Sequence, residues 1–121
     1  MQRDPRTYLF DILTAVDAIF EFLKSADYDA FRASDLLRSA VERKFEIIGE
    51  ALSQMSKIDI DLASRMTRWR DIVAFRNILA HGYASVDLDI VWRAHRDSLP
   101  QLRAEVEALL RELSALTSKT R

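Results

Sequence analysis

The stretch that decides the fold is residues 34–55, SDLLRSAVERKFEIIGEALSQM. Large apolar side chains recur along it at steps of three and four residues, the spacing of one face of an amphipathic α-helix. These apolar positions are Leu37, Val41, Phe45, Ile48, Leu52 and Met55. Because Ser34 at the start is a preferred N-cap residue, the stretch predicts a long helix that begins near it.

The same spacing continues on both sides of this stretch. Asp4 as a cap and Pro5 at the first helical position predict that a first helix begins there. Another helix is predicted over residues 69–80, and Gly82 lies just beyond its end, where a left-handed residue is commonly glycine. Pro100 is predicted to start or kink the last helix.

The connecting segments are shorter. Residues 25–33 break the helical pattern and are interpreted as a linker with a short turn. Residues 62–66 predict a short helix, and Ser85 and Asp87 are expected to open another that runs through Trp92. Residues 117–121 are expected to be a frayed tail.

The composition agrees with a helical protein. The 121 residues include only two glycines and two prolines, and 49% are hydrophobic, which leaves too few turn residues for a β-sandwich. We therefore predict a single all-α domain, residues 1–121, built as a bundle of about five helices.

Charge and cysteine content limit the class of function. The formal net charge is −1, so no overall field attracts nucleic acid or a membrane, although a local basic face remains compatible with RNA binding. The absence of cysteine excludes disulfides and thiolate chemistry and is typical of a reducing cytoplasm. Asp11 and Asp17 precede any long apolar run, so neither a signal peptide nor a membrane span is expected.

The candidate site lies in residues 75–83, FRNILAHGY. Arg76, Asn77, His81 and Tyr83 interrupt a largely apolar helical segment. Polar groups that are buried there without partners would cost about 1–3 kcal/mol each. These four residues are therefore either paired structurally or part of a functional site.

The spacing of Arg76 and His81 restricts how they could act together. Five residues correspond to about 140° around an ideal helix, so the two side chains do not share a face. Either the helix ends at His81, or a symmetric dimer brings two copies of the segment together. In such a cleft a neutral imidazole could take a proton from a ribose 2′-hydroxyl while guanidinium groups hold the phosphate, without a metal.

Three further features leave alternatives open. Glu42, Glu46 and Glu50 share one helical face. This face is interpreted as a solvated stripe. Alternatively it contacts a basic partner, or one of its glutamates orients an arginine or a histidine. Gly49 predicts close helix packing, since an interior glycine costs about 1 kcal/mol. His95 is interpreted as an exposed or packing histidine. Since no metal-ligand spacing joins it to the only other histidine, we expect neither a metal site nor a cofactor.

The segment from Arg76 to Tyr83 resembles the Arg-x4-His-x-Tyr motif of HepT-like proteins in the HEPN superfamily. Residues 40–51, with the Gly-Glu pair, resemble the second helix of that family. Residues 69–72, 86–92 and 99–102 also stand where family members have similar residues. The resemblance covers nearly the whole chain and implies a HEPN-type helical bundle.

The resemblance implies the toxin of a type VII HEPN/MNT toxin–antitoxin pair. Such toxins are metal-independent endoribonucleases that act as homodimers with a composite cleft, on tRNA or mRNA. By this likeness Arg76 binds phosphate, His81 is the general acid/base, and Asn77 and Glu50 support them. The implied partner is a minimal nucleotidyltransferase antitoxin that transfers AMP onto Tyr83. The alternative is a catalytically inactive HEPN module that docks a nucleotidyltransferase or a nucleotide; a purely structural role for the four polar residues ranks last.

Overall fold

The computed structural model describes residues 4–81 and 87–119, and helices make up nearly all of this part of the chain. Its elements are α1 (Pro5–Leu23), α2 (Tyr28–Ala33), α3 (Asp35–Ile58), α4 (Ile60–Ser64), α5 (Trp69–Ala80), α6 (Leu88–Arg93), a π-helical turn (Ala94–Ser98) and α7 (Leu99–Lys119). The described residues contain no strand, which confirms the predicted all-α class. The short helices α2, α4 and α6 explain why there are more segments than the expected five or so.

Helix α3 lies at the centre of the bundle. Helices α1 and α5 both pack on it, and α7 packs on α1. The predicted apolar stripe of α3 is buried from Val41 to Met55, and only Leu37 at its start is half-buried. Within the described residues, the buried core contains no polar or charged side chain.

None of the described helices combines the length and the apolar character that a membrane crossing would require.

Two helix starts follow the predicted caps. The Asp4 side chain accepts a hydrogen bond from the Arg6 backbone N–H at 2.9 Å, immediately before Pro5 at the start of α1. The Ser34 hydroxyl accepts one from the Leu37 N–H at 3.0 Å, at the start of α3. Each bond satisfies one of the N–H groups that a helix leaves unpaired in its first turn.

Two connecting segments differ from the prediction. Residues 25–33, interpreted as a linker with a short turn, contain α2, because Asp27 caps it and Phe31 is fully buried against Trp92, with ring centroids 5.5 Å apart. The next short helix begins at Ile60 rather than at residue 62. The reason is that the Asp59 side chain accepts from the Leu62 N–H and so caps the helix earlier.

Pro100 lies at the start of the last helix, which agrees with the prediction that it starts or kinks this helix. Helix α6 continues through the π-helical turn into α7, and Pro100 is the second residue of α7. Proline lacks an N–H and its ring clashes with the carbonyl four residues earlier, so a wider turn just before it relieves the conflict. Helix α7 then extends through Lys119, past the expected fraying point at Thr117, since no glycine or proline follows Pro100 to stop it.

Candidate active site

The candidate site is built where α3 crosses α5 at Gly49. A Cβ atom placed on Gly49 would lie only 2.2 Å from the Cβ and 2.7 Å from the Cγ of Arg76. No other residue type fits that space, so the predicted use of Gly49 in close helix packing is confirmed. The rings of Phe45 and Phe75 meet edge to face at 5.4 Å in the same crossing. The stem of Arg76 therefore lies directly against the α3 backbone.

The guanidinium group of Arg76 is held from two sides. Its Nη1 donates a hydrogen bond to Asn77 Oδ1 at 2.8 Å, and its Nη2 forms an ion pair with the Glu50 carboxylate. The other oxygen of Glu50 accepts from Gln54 Nε2 at 3.1 Å. The structure thus joins three residues that the sequence singled out, and adds Gln54. The only sequence signal for Gln54 is its position one helical turn after Glu50.

The contacts of Glu50 favour its charged form. Its pKa lies below the ordinary glutamate value, first because of the hydrogen bond from Gln54 and then because of the charge and hydrogen bond of Arg76, which together outweigh partial burial. Glu50 is therefore ionised at neutral pH. The Arg76 side chain keeps 31% of its surface exposed, so a ligand in solution can reach the guanidinium.

The three glutamates of α3 lie in different environments. Glu50 contacts Arg76, and Glu46 pairs with Arg43 at 3.3 Å. Burial raises the pKa of Glu42 above its ordinary value, against the opposing charge of Arg38. Glu42 and Glu46 thus agree with the interpretation of a partly exposed stripe supported by Arg38 and Arg43, whereas Glu50 agrees with the alternative in which one glutamate contacts an arginine of the site.

His81 lies at the point where α5 ends. Its backbone N–H donates to the carbonyl oxygen of Asn77 at 3.2 Å, and its side chain is exposed. With φ −87° and ψ 1° it has left the helical conformation, which is the first of the two arrangements that the spacing allowed. Gly82, Tyr83 and Ser85 lie outside the described residues.

A pocket of about 530 Å³ lies beside Arg76, between α1, α3 and α5. Its lining mixes both charges with neutral polar and apolar side chains. The lining residues are Tyr8, Asp11, Arg43, Glu46, Ile47, Glu50, Ala51, Gln54, Arg76 and Ala80. Ala80 is next to His81 in the chain, so the pocket extends from the guanidinium of Arg76 toward the end of α5.

His95 lies away from this pocket and has a packing role, one of the two that the sequence suggested. Its ring is 4.9 Å from the ring of Trp92 and 6.2 Å from that of Phe20, centroid to centroid. Burial lowers the pKa of His95 below its ordinary value, against a hydrogen bond to the backbone of Trp92. Among residues 4–81 and 87–119, no group of three or more histidine, aspartate or glutamate side chains is arranged to hold a metal ion.

The sequence profile of the family described as "Ribonuclease HepT-like" matches residues 12–109. The chain belongs to the HepT-like family. This confirms the resemblance drawn from residues 76–83 and from the Gly-Glu helix. The match spans Glu50, Arg76 and His81, and it also includes Tyr83.

Three relatives that are named as putative or probable ribonucleases align with this HepT-like chain along almost their whole length. "Putative RNase MJ1380" of Methanocaldococcus jannaschii is 36% identical over 106 residues, which are 88% of this chain and 96% of the relative. "Probable ribonuclease HepT" of Thermococcus cleftensis is 31% identical over 109 residues, 90% of this chain and 98% of the relative. "Putative RNase TTE0752" of Caldanaerobacter subterraneus subsp. tengcongensis is 30% identical over 110 residues, which are 91% of this chain and 97% of the relative. No solved structure matches the chain.

Proposed function

We propose that this HepT-like chain is a metal-independent endoribonuclease, the toxin of a HEPN/MNT pair, and that it works in the cytoplasm as one domain. The observation that carries the proposal is the fixed guanidinium of Arg76 on α5, with His81 at the end of the same helix. A guanidinium has five N–H donors, and a phosphate could use those that Asn77 and Glu50 do not engage. The names of the relatives agree with a ribonuclease.

In the proposed reaction His81 accepts the proton of a ribose 2′-hydroxyl. The 2′-oxygen then bonds to the adjacent phosphorus as the bond to the 5′-oxygen breaks, and the leaving oxygen takes up a proton. The products are a 2′,3′-cyclic phosphate and a 5′-hydroxyl end. Arg76 stabilises the negative charge that develops on the phosphate oxygens, while Asn77 and Glu50 keep its side chain in place. DNA lacks the attacking hydroxyl and would not be cut.

The site is proposed to be composite, formed by two copies of the chain. The ideal-helix angle of about 140° does not by itself require two chains, since His81 has left the helical conformation, and the composite cleft is proposed from the resemblance to HEPN homodimers. A two-fold axis near α3 and α5 would bring two arginines and two histidines into one cleft. Ile78, on the same helix and 45% exposed, is available for such an interface. Sedimentation should give a dimer at assay concentrations, and an active monomer would contradict the composite cleft.

Regulation is proposed to act through Tyr83, two residues after His81. A nucleotidyltransferase antitoxin would transfer AMP from ATP onto the tyrosine hydroxyl and release pyrophosphate. The bulky negative group would repel RNA and fill the cleft. Incubation with the partner and ATP should add the mass of AMP to the wild type but not to Tyr83→Phe, whereas an equal gain in Tyr83→Phe would refute this site.

One observation favours the alternative, a catalytically inactive module that docks a nucleotidyltransferase or a nucleotide. Glu50 already pairs with Arg76, and Glu46 with Arg43, so both cations of the pocket have carboxylate partners. RNA affinity depends on local cationic density. In this alternative the same surface binds its partner and no RNA is cut.

The experiment that separates the two is induced expression without the antitoxin. The wild type should stop growth and degrade RNA, while His81→Ala and Arg76→Ala should do neither. Circular dichroism of the purified variants should show that both are folded. Arg70→Ala is the matched control, because Arg70 is an exposed arginine of α5 that stacks on Trp69 at 4.6 Å. Growth arrest and RNA loss that persist in His81→Ala would refute the proposed base.

A further inference from the structure

Lys57 is a cation beside the candidate site that has no carboxylate partner within the described part of the chain. It lies in the last turn of α3, and its side chain is exposed. Within residues 4–81 and 87–119, no hydrogen bond or ion pair engages its ammonium group. Arg43 and Arg76, the two cations that line the pocket, each pair with a glutamate. Lys57 therefore differs from them in having its charge available to a ligand.

The position of Lys57 on α3 places it on the same side of the helix as the contact to Arg76. Lys57 follows Glu50 by seven residues, which is within about 20° of two full helical turns and about 10 Å along the axis. The lowered pKa of Glu50 has the same explanation in part, because the charge of Lys57 adds to the larger effects of Gln54 and Arg76. The ammonium group is therefore near the carboxylate that holds Arg76 but does not pair with it.

Lys57 also lies toward the end of the pocket at which α5 stops. Gln54 of α3 and Ala80 of α5 line the same pocket. Lys57 is three residues after Gln54, so the two are neighbours on the helix surface, and His81 directly follows Ala80. A strand of RNA that has one phosphate at Arg76 and runs past His81 therefore comes next to Lys57.

We propose that Lys57 binds a second phosphate of the RNA strand, within two nucleotides of the phosphate that Arg76 holds. The lysine ammonium is a compact charge that attracts a phosphate without reading the base, and Lys57 has no carboxylate that the phosphate must displace. The inference rests on the proposed ribonuclease function. It names a substrate contact that the Arg-x4-His-x-Tyr motif does not contain.

The test uses DNA oligonucleotides with a single ribonucleotide, so that only one bond can be cut. One uncharged methylphosphonate replaces, in turn, each of the two phosphates before and the two after the scissile one. With the all-phosphate substrate, Lys57→Gln should raise KM about fivefold at low salt and leave kcat unchanged, because a flanking contact is the same in the ground state and the transition state. At one methylphosphonate position the two proteins should have the same KM, since the contact is then absent from both.

The salt dependence of KM gives a second readout. Loss of one phosphate contact to a single strand should lower the slope of log KM against log salt concentration by about 0.7. Lys57→Arg keeps the charge and should restore both KM and the slope. The matched control is Lys44→Gln, which should behave as the wild type. Lys44 lies on the same helix, about 140° around the axis from Lys57, and does not line the pocket.

Two results with an active enzyme would overturn the inference. One is an unchanged KM and salt slope in Lys57→Gln. The other is a rise in KM that is the same with every methylphosphonate substrate, which would mean that Lys57 only stabilises its own helix by complementing the negative end of the helix dipole. Urea unfolding of Lys57→Gln would then show a lower free energy of unfolding.

A binding measurement keeps this outcome distinct from failure of the proposed function. If the wild type cuts no substrate, the ribonuclease proposal fails, and fluorescence anisotropy with the same oligonucleotides still tests Lys57. A lower salt slope of binding in Lys57→Gln than in the wild type would support the phosphate contact. Equal slopes, or no binding by either protein, would overturn it.

Discussion

Replacing Gly49 with alanine tests the helix crossing that holds Arg76. The added Cβ would lie 2.2 Å and 2.7 Å from the Cβ and Cγ of Arg76, and 3.3 Å from the carbonyl oxygen of Ile72. Carbon atoms in strain-free contact are about 3.5–4.0 Å apart, so α3 and α5 would have to separate by about 1 Å or more. Rotation of the Arg76 side chain gives no relief, because its Cβ is fixed to the α5 backbone.

The expected loss of stability is about 2 kcal/mol. Overpacking a close contact costs about 1–3 kcal/mol, and a Cβ-to-Cβ clash belongs at the upper end, near 3. Alanine in a helix interior recovers about 1 kcal/mol relative to glycine. The assay is urea unfolding at one protein concentration, followed by far-UV circular dichroism. Ser39→Ala, an exposed change on the same helix, should leave the free energy of unfolding equal or slightly higher.

The same substitution should reduce cleavage more than it reduces stability. A shift of about 1 Å in a positioning residue can cost roughly a hundredfold in rate, and we expect that order of loss in kcat/KM under conditions where Gly49→Ala is folded. A Gly49→Ala protein as stable and as active as the wild type would refute the argument that this crossing positions Arg76.

Three further predictions follow from other contacts. Glu50→Gln keeps an oxygen acceptor for the guanidinium, so its kcat/KM on one RNA should fall less than that of Glu50→Ala; equal losses would contradict the positioning role. Because the pKa of Glu50 is lowered, its carboxylate stabilises the fold above about pH 4.3, and this contribution is lost as the pH falls further. Urea unfolding at several pH values should show that this part of the pH dependence is absent in Glu50→Gln. Burial lowers the pKa of His95, so the folded state favours the neutral ring, and stability that is present above about pH 6.5 should be lost as the pH falls below it. The same loss in His95→Gln would contradict this. Glu105→Ala removes the acceptor of the Thr67 N–H and hydroxyl, at 3.1 and 2.7 Å, and should cost about 1 kcal/mol in urea, whereas Glu112→Ala removes a surface ion pair and should change nothing measurable.

Features that depend on neighbouring residues in the chain could be predicted from the sequence. The caps at Asp4 and Ser34 and the bounds of α5 follow from hydrogen bonds and periodicity within a few residues. The close packing at Gly49 was also predictable, since a glycine in the middle of a strong helical pattern needs a reason. Residue type singled out Arg76 and His81, but spacing alone did not bring them together, and their proposed roles follow from the resemblance to HepT-like proteins.

Features that depend on distant parts of the chain could not be predicted. Helix α2 forms because Phe31 is buried against Trp92, and these residues are remote in sequence. The wall of the pocket that contains Asp11 depends on how α1 packs on α3. The π-helical turn before Pro100 was also not predicted, although its cause, the conflict between the proline and the preceding turn, is local. In each case tertiary contacts or local strain decided between alternatives that the sequence left open.

The most direct test of the central claim is cleavage of total cellular RNA in EDTA by the purified, antitoxin-free chain and by His81→Ala. Intact mass is measured first, so that AMP on Tyr83 cannot mask activity. We predict cleavage by the wild type only, with 2′,3′-cyclic phosphate and 5′-hydroxyl ends. No cleavage by an unmodified, folded dimer would contradict the ribonuclease assignment and support the inactive docking module, and equal cleavage by His81→Ala would contradict the role of the histidine.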